Sequence, residues 1–398
     1  MIHSGIPWER RFARRAERIR SSTIRELLKL TQQPGIISFA GGLPAPDLFP
    51  VEAFREASDR ILSTAGRVAL QYGPTEGFPP LRAWVAERMG VPVERVLLVS
   101  GSQQGLDFLG KAFLDPGDLV LVENPTYMGA LSAFNPYEPT YLAADIDDEG
   151  VIVEELAELM AQRPKFFYVL PTFQNPSGTL LSLERRQALV ELAARYQVPL
   201  IEDDAYAELY LDTPRLPSLF EIDRELHGDD GWVIYLSTFS KTLSPGLRVA
   251  WVVASPTVIQ KLVQIKQGAD LQTATFNQML IYELARTHLE AQIPKIRATY
   301  RERRDLMLEG LAREMPQGMR WTQPHGGMFV WATLPEGLRA VEVFERAIAR
   351  QVAFVPGEPF HARGGGERNM RLSYATASPE AMREGLRRLG EAIRESLD

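Results

Sequence analysis

A lysine stands between two apolar stretches of the chain, which is an unusual position for a charged side chain. Trp232–Leu236 and Val249–Ala254 each have the composition of a buried strand, and Lys241 lies in the connection between them. Lysine is rarely buried without a partner. A lysine held in a dry pocket can lose its proton and form a Schiff base with an aldehyde. An ordinary solvated lysine in a surface loop is the alternative, and this stretch alone does not separate the two.

Groups suited to a phosphate flank this lysine. The hydroxyls of Thr238 and Ser240 precede it, and the guanidinium of Arg248 follows it after the turn Pro245–Gly246. A phosphorylated aldehyde would satisfy both the lysine and these phosphate-binding groups.

Short apolar runs alternate with helical patterns from about Val96 to Ala254. This alternation predicts an α/β fold with a three-layer, doubly wound and mainly parallel sheet. Ligands of such sheets bind outside the carboxyl ends of the strands. After about Val258 longer helices and then short strands follow, which predicts a smaller α+β domain. Polar residues come directly after predicted strands of the large sheet: Ser102, Tyr127, Asn175, Asp203 and Lys241.

These residue types together match the needs of pyridoxal 5′-phosphate. Lys241 would hold the aldehyde and move a proton at the substrate. Asp203 would keep the ring nitrogen protonated, so that the ring accepts electrons. Asn175 and Tyr206 would donate hydrogen bonds to the ring oxygen, and Tyr127 would stack on the ring.

The phosphate and the substrate carboxylate need partners of their own. A strand, a glycine turn and a helix N-terminus near residue 100 form an anion site by geometry. Arg371 is our candidate for the α-carboxylate, because a guanidinium binds a carboxylate through two bonds. We expect the carboxyl of Asp204 to be a surface or capping group, since neighbouring strand residues face opposite sides. The predicted phosphate cradle consists of Ser102, Gln103, Thr238, Ser240 and Arg248.

Three motifs in family order resemble those of the fold-type-I, pyridoxal-phosphate-dependent aminotransferases of class I/II. They are Asn175–Gly178, Asp203–Tyr206 and Ser237–Arg248. The resemblance implies a homodimer with shared active sites, in which Tyr72 of one subunit reaches the phosphate of the other. It also implies that Gly42 lies on the substrate side of the cofactor.

Within that family, three N-terminal stretches look most like the 2-aminoadipate aminotransferases of bacterial lysine biosynthesis: Ser22–Leu28, Phe39–Pro44 and Gln71–Gly77. This resemblance implies that Arg25, on a mobile helix, binds the distal carboxylate of the substrate. The expected reaction moves an amino group between 2-aminoadipate and 2-oxoglutarate by a ping-pong mechanism. Glutamate, leucine and aromatic amino acids are expected as further substrates.

Two other functions use the same scaffold. A carbon–sulfur β-lyase would keep Lys241, Asp203 and Arg248 unchanged, so these residues do not exclude it. A transcription regulator would carry an additional basic helix-turn-helix domain, and only about forty residues precede the Gly41–Gly42 turn here. The expected organisation is an N-terminal arm with a mobile helix (residues 1–45), a large cofactor-binding domain (46–290) and a small C-terminal domain (291–398).

Composition excludes several other classes of protein. The net charge of −7 over 398 residues argues against a nucleic-acid partner, and the absence of cysteine excludes disulfides and thiolate metal sites. The five histidines have no ligand-like spacing, so we expect no metal. No apolar run approaches the roughly 18 residues that would span a membrane. The expectation is a cytoplasmic enzyme whose partners are small molecules, namely amino acids and 2-oxoacids.

Overall fold

The computed structural model describes residues 8–19 and 35–397 of the chain. The strands are β1 Ile37–Ser38, β2 Val96–Val99, β3 Leu119–Asn124, β4 Thr140–Asp147, β5 Gly150–Val151, β6 Phe167–Val169, β7 Leu200–Asp203, β8 Val233–Thr238, β9 Ala250–Val253, β10 Arg320–Trp321, β11 Phe329–Thr333, β12 Val352–Ala353, β13 Val355–Pro356 and β14 Asn369–Ser373.

Helices connect and cover these strands. The α-helices are α1 Val51–Ala69, α2 Pro79–Met89, α3 Ser102–Phe113, α4 Met128–Phe134, α5 Leu156–Met160, α6 Leu183–Tyr196, α7 Leu219–His227, α8 Pro256–Ala269, α9 Thr275–Thr287, α10 Leu289–Glu314, α11 Ala340–Ala349 and α12 Pro379–Leu397. Short 3₁₀ turns lie at Trp8–Arg11, Arg14–Arg18, Pro46–Leu48, Val93–Arg95, Asn135–Tyr137, Val153–Glu155, Gly228–Asp230, Phe239–Lys241 and Glu358–Phe360.

The large sheet has eight strands in the order β2-β9-β8-β7-β6-β3-β4-β5. The pairs from β8 through β7, β6 and β3 to β4 are all parallel, whereas β9 runs antiparallel to both of its neighbours. The mainly parallel α/β sheet that the alternating pattern predicts is therefore confirmed. Its parallel strands bring the connections after β2, β3, β6, β7 and β8 to one edge.

Apolar side chains cover both faces of this sheet, which makes the three layers. On one face, Leu106 of α3 and Ile259 of α8 pack into one core. On the other, Leu81 of α2, Leu189 of α6 and Leu280 of α9 pack into a second core. Central parallel strands buried on both faces are continuous apolar runs, as β6 and β8 are here.

A second sheet follows near the C-terminus. It has four antiparallel strands in the order β10-β11-β14-β13, and β1 pairs separately with β12 in a two-stranded parallel sheet. Helices α10, α11 and α12 pack against these strands, which gives the smaller α+β unit. The exact division at residues 45 and 290 stays a prediction.

Some elements differ from the sequence-based expectation. The pattern over residues 12–30 suggests an α-helix, but the described part of it, up to residue 19, contains only the 3₁₀ turn Arg14–Arg18. The sequence analysis assigns no element to strand β4 or helix α2, and α2 begins with two prolines. Prolines fit the first turn of a helix, since no N–H bond is required there. Among the described residues, no helix is both long and apolar enough to cross a membrane.

Candidate active site

A cavity of about 480 Å³ lies outside the carboxyl ends of the large sheet, where ligands of such sheets bind. Most of the predicted site residues line it: Gly42, Ser102, Gln103, Tyr127, Asn175, Asp203, Tyr206, Thr238, Ser240, Lys241, Arg248 and Arg371. Tyr72 does not line it, and Arg25 lies outside the described residues.

Lys241 ends the 3₁₀ turn that follows β8, and its side chain points into the cavity. Its Nζ donates a hydrogen bond to the carbonyl oxygen of Gly42 at 3.0 Å. Burial and the positive charge of Arg371 lower the pKa of Lys241 to about 8, although the carboxylate of Asp203 opposes them. The neutral amine, which is the nucleophilic form, is therefore accessible near neutral pH.

Asp203 is the last residue of β7 and is almost completely buried. The hydroxyl of Tyr168, on β6, donates a hydrogen bond to its Oδ2 at 2.8 Å. Its other oxygen, Oδ1, has no hydrogen-bond partner among the residues that the structure describes. Burial raises the pKa of Asp203 to about 6, against the lowering effect of the Tyr168 hydrogen bond. The carboxylate can therefore accept a further donor.

Asp204 faces the other side of the sheet, as the alternation predicts, but the expectation that it is a surface group is wrong. Only 3% of Asp204 is exposed, and the Tyr235 hydroxyl donates to its Oδ2 at 3.1 Å. Glu202 and the fully buried Arg186 share this side of the sheet. Helices cover the second face of a doubly wound sheet, so both faces of β7 are interior.

Arg371, on β14 of the small sheet, reaches across to the large sheet. Its Nη1 donates to Asn175 Oδ1 at 2.8 Å, and its Nη2 donates to the carbonyl oxygen of Ala40 at 2.9 Å. Its guanidinium lies over the rings of Phe329 and Phe360, at 4.3 and 5.1 Å from their centroids. Burial lowers the pKa of Arg371 to about 10, so the group remains charged at neutral pH.

Asn175 also contacts Tyr206, which is 4% exposed. The Nδ2 group of Asn175 donates to the Tyr206 hydroxyl at 3.3 Å. Burial raises the pKa of Tyr206, so its hydroxyl stays protonated and can itself donate a hydrogen bond. Both side chains line the cavity beside Asp203, as the sequence predicts.

The phosphate side of the cavity is a glycine turn beside an arginine. Gly101 has a φ of +83°, and a Cβ atom there would lie 2.1 Å from Nη2 of Arg248. Only glycine fits, because it accepts this backbone conformation and leaves room for the guanidinium. Helix α3 begins at Ser102, and the first N–H groups of a helix have no partner within it. Thr238 and Ser240, hydrogen-bonded to each other at 2.8 Å, lie on the same cavity.

The sequence alone did not identify Tyr168 as part of this site. It lies in an apolar strand and is fully buried, so the strand pattern predicts a core residue. Its pairing with Ile201, two positions before Asp203, places the two side chains on one face of adjacent strands. The signal in the sequence is therefore a tyrosine in the predicted strand next to the one that ends at Asp203.

The cavity therefore contains a buried carboxylate, Asp203, with one oxygen that no described residue bonds, and a lysine of lowered pKa. It also contains an anion-binding turn whose conformation requires glycine at position 101. These features fit pyridoxal 5′-phosphate. Lys241 would hold its aldehyde end, Asp203 its ring nitrogen, and the turn at Gly101 with Arg248 its phosphate. Comparison with known proteins agrees: the model of the family "Aminotransferase class I and II" matches residues 36–389, and the chain belongs to this family.

Individual relatives are similar over nearly the whole chain. A 2-aminoadipate transaminase of Thermus thermophilus is 54% identical, and the match covers 98% of each chain. Aromatic-amino-acid aminotransferase 1 of Thermococcus litoralis is 44% identical, covering 98% of this chain and 96% of that one. A crystal structure of the alpha-aminoadipate aminotransferase LysN from Thermus thermophilus, complexed with N-(5′-phosphopyridoxyl)-L-leucine, has a TM-score of 0.94 at 52% identity and covers 98% of this chain and 99% of that one.

These comparisons confirm the fold-type-I class and the pyridoxal-phosphate-dependent aminotransferase activity. The two relatives described above are aminotransferases and not carbon–sulfur lyases, so the lyase alternative has no support. Two HTH-type transcriptional regulators of Bacillus subtilis also match, at 31% and 28% identity, and the chain covers 78% and 77% of their lengths.

Proposed function

We propose that this aminotransferase moves an amino group between 2-aminoadipate and 2-oxoglutarate, by a ping-pong mechanism, in a pathway of lysine biosynthesis. The 54% identity to a 2-aminoadipate transaminase over 98% of both chains carries this assignment. Leucine, glutamate and aromatic amino acids are proposed as further substrates. The phosphopyridoxyl-leucine in a similar structure and the aromatic aminotransferase among the relatives support that breadth.

Each of the cavity residues has its own proposed role in the reaction. When bound, pyridoxal phosphate supplies an electron sink for charge that develops at the α-carbon of an amino acid. Asp203 would keep that sink effective, because its carboxylate would stabilise a positive charge on the ring nitrogen. Asn175 and Tyr206, which line the cavity, would donate hydrogen bonds to the ring oxygen, and Tyr127 would cover one face of the ring.

Lys241 is the proposed acid–base group. Its amine removes the proton from the substrate α-carbon as a general base. A pKa of about 8 leaves part of the amine population neutral near physiological pH. The carbonyl of Gly42, 3.0 Å from Nζ, orients the amine at the side of the cavity that also holds Arg371.

Arg371 is proposed to bind the α-carboxylate of every substrate. Two of its nitrogens are already oriented by Asn175 and Ala40, and its Nε has no partner among the described residues. A guanidinium fixed in one plane recognises a carboxylate through paired hydrogen bonds. We assign the distal carboxylate of 2-aminoadipate to Arg25 by resemblance alone.

The phosphate is proposed to bind at Ser102, Gln103, Thr238, Ser240 and Arg248, which all line the same cavity.

A homodimer belongs to the same proposal, with Tyr72 completing the partner's phosphate site. Three large side chains close together in the chain are exposed: Val68 at 57%, and Leu70 and Tyr72 at 77% each. A group of exposed apolar side chains, unlike a single one, supports a surface covered by a partner. The division into an arm, a large domain and a small domain, and a cytoplasmic location, are likewise proposed.

A substrate panel tests the specificity. We expect kcat/KM for 2-aminoadipate to exceed that for leucine, and the cofactor absorbance to change to that of the pyridoxamine form with amino donor alone. Arg25→Ala should reduce the preference for acidic over neutral donors by about tenfold or more, the value of a charge-assisted hydrogen bond. Arg11→Ala, at an exposed arginine of the same N-terminal segment, is the matched control. An Arg25→Ala enzyme that keeps the full preference would refute the role of Arg25.

A further inference from the structure

A fully buried lysine lies outside the cavity, behind the turn that precedes α3. Lys266, in the last turn of α8, has a side chain that is 0% exposed. Its Nζ donates to both carboxylate oxygens of Asp270 at 2.9 Å and to Oε1 of Gln104 at 2.9 Å. The Nζ of Lys266 thus donates hydrogen bonds to side chains of two different elements.

The contact from Lys266 to Gln104 fixes residues 100–104, which are the glycine turn and the first residues of α3. This segment is called the 100–104 turn below. Gln104 Oε1 also accepts the backbone N–H of Ser100 at 2.8 Å, and Gln104 Nε2 donates to Asp270 Oδ2 at 2.7 Å. The hydroxyl of Ser100 donates to the same carboxylate oxygen at 3.1 Å. Ser100 and Gln104 bracket Ser102 and Gln103, so both ends of the proposed phosphate cradle are bound to the Lys266–Asp270 pair.

The contact from Lys266 to Asp270 connects to the loop that carries Tyr72. Asp270 opens a short segment in which Gln272 accepts the backbone N–H of Gly73. Thr275, at the end of this segment, donates its hydroxyl to the carbonyl oxygen of Gln71 at 3.2 Å. The residues on both sides of Tyr72 are therefore bonded to the segment that Asp270 begins.

Only Lys266 of this pair is fully buried, since the side chain of Asp270 is 28% exposed. A pair with a buried charge is weak evidence for stability, because the cost of removing charge from water can exceed the attraction. Its best-attested use is to fix one arrangement among alternatives. Here the charges join a turn, a helix end and a loop that lie far apart in the chain, which fits that use. Apolar side chains in place of Lys266 and Asp270 could fill the same space, but they would make no hydrogen bonds to the turn, the helix end or the loop.

We propose that Lys266 and Asp270 are positioning residues that set the affinity of the enzyme for the phosphate of its cofactor. They hold the N–H groups of the 100–104 turn in place and keep the Tyr72 loop beside that turn. The proposal rests on the placement of the phosphate at Ser102 and Gln103. Neither Lys266 nor Asp270 lines the cavity, so they act through the turn and not by direct contact.

The test compares two cofactors that differ only in the phosphate. Dissociation constants for pyridoxal phosphate and for pyridoxal would be measured by cofactor absorbance on the full-length enzyme, depleted of cofactor by dialysis. Lys266→Met removes the charge at similar volume. Lys261→Met is the control on the same helix, because this exposed lysine donates to Gln264 and not to the phosphate side. Asp270→Asn, which changes no volume, provides a second variant if Lys266→Met does not fold.

For Lys266→Met and Asp270→Asn, we expect the dissociation constant of pyridoxal phosphate to rise about tenfold or more, as for loss of a charge-assisted bond. The constant for pyridoxal should stay within about twofold, as should kcat at saturating cofactor, because the cavity residues are unchanged. Lys261→Met should alter neither. Equal losses for both cofactors would show a merely structural pair and overturn the proposal, as would no loss at all. An unaltered enzyme that binds the two cofactors equally would instead refute the placement of the phosphate.

Discussion

Removing the hydroxyl of Tyr168 should change the pH at which the enzyme takes up its cofactor. In Tyr168→Phe, the charged form of Asp203 loses the 2.8 Å hydrogen bond to its Oδ2. Burial already raises the pKa of this carboxyl to about 6, and the Tyr168 hydroxyl opposes that rise. Without the hydroxyl the charged form is less stable, so the pKa of Asp203 rises further.

The size of the effect follows from the strength of the lost bond. A hydrogen bond to a charged group contributes about 1.5–3 kcal/mol, and about 1.4 kcal/mol corresponds to one pH unit. The pKa of Asp203 should therefore move from about 6 to roughly 7–8. At about pH 7 this reduces the fraction of charged carboxylate roughly two- to tenfold, and the affinity for the cofactor falls by the same factor.

The assay is the dissociation constant of pyridoxal phosphate between about pH 5.5 and 9, the range that spans both pKa values. Affinity of the Tyr168→Phe enzyme should recover at the alkaline end, since Asp203 is then charged in both proteins. Tyr141→Phe is the matched control, because that hydroxyl bonds Asn135 at 2.9 Å, away from the cavity. If the profile of Tyr168→Phe differed from the parent by a constant factor at every pH, the hydroxyl would not act through the charge of Asp203.

Other predictions follow from the same site. Asp203→Asn should stabilise the cofactor-free protein at about pH 8 by up to about 3 kcal/mol, because the folded protein raises the pKa of this carboxyl from 3.8 to about 6. The gain in melting temperature should shrink as the pH falls through about 6 towards 4, and a gain independent of pH would contradict the cause. Arg371→Leu should lower kcat/KM for amino acids by about 100-fold or more while cofactor affinity is kept, with the exposed Arg320→Leu as control; retention of normal KM values would exclude Arg371 as the carboxylate partner. Lys241→Ala should be inactive, and Tyr72→Ala should lose activity at limiting pyridoxal phosphate. Mixing the two, with activity measured at limiting cofactor after exchange of subunits, should raise activity because one intact site then forms across the dimer; no rise despite exchange would place Tyr72 in its own subunit's site.

Much of this site could be predicted because each residue follows a strand that is easily identified. Asn175, Asp203 and Lys241 come after continuous apolar runs, and parallel strands place such connections at one edge. That prediction does not require the order of the strands. It requires only that the strands be parallel, because their carboxyl ends then lie at the same edge of the sheet.

The contacts between the elements could not be predicted in the same way. The bond from Arg371 to Asn175 joins residues 196 positions apart, one on β14 of the small sheet and the other in the loop after β6 of the large sheet. The burial of Asp204 depends on helices that cover the second face of the large sheet, whereas the strand pattern shows only which face it occupies. Lys266 is buried and Lys261 is exposed, although both are lysines on the same helix. The sequence pattern of this helix does not distinguish them.

The aromatic support of Arg371 limits how this enzyme can be redesigned. Phe329 and Phe360 fix the plane of the guanidinium, and the carbonyl of Ala40 and the amide of Asn175 fix its rotation within that plane. A lysine at this position would lose both restraints, because an ammonium has no plane. New preferences for the variable end of the substrate can therefore evolve by changes elsewhere in the pocket. Acceptance of simple amines, which lack a carboxylate, would require rebuilding two aromatic side chains together with the arginine.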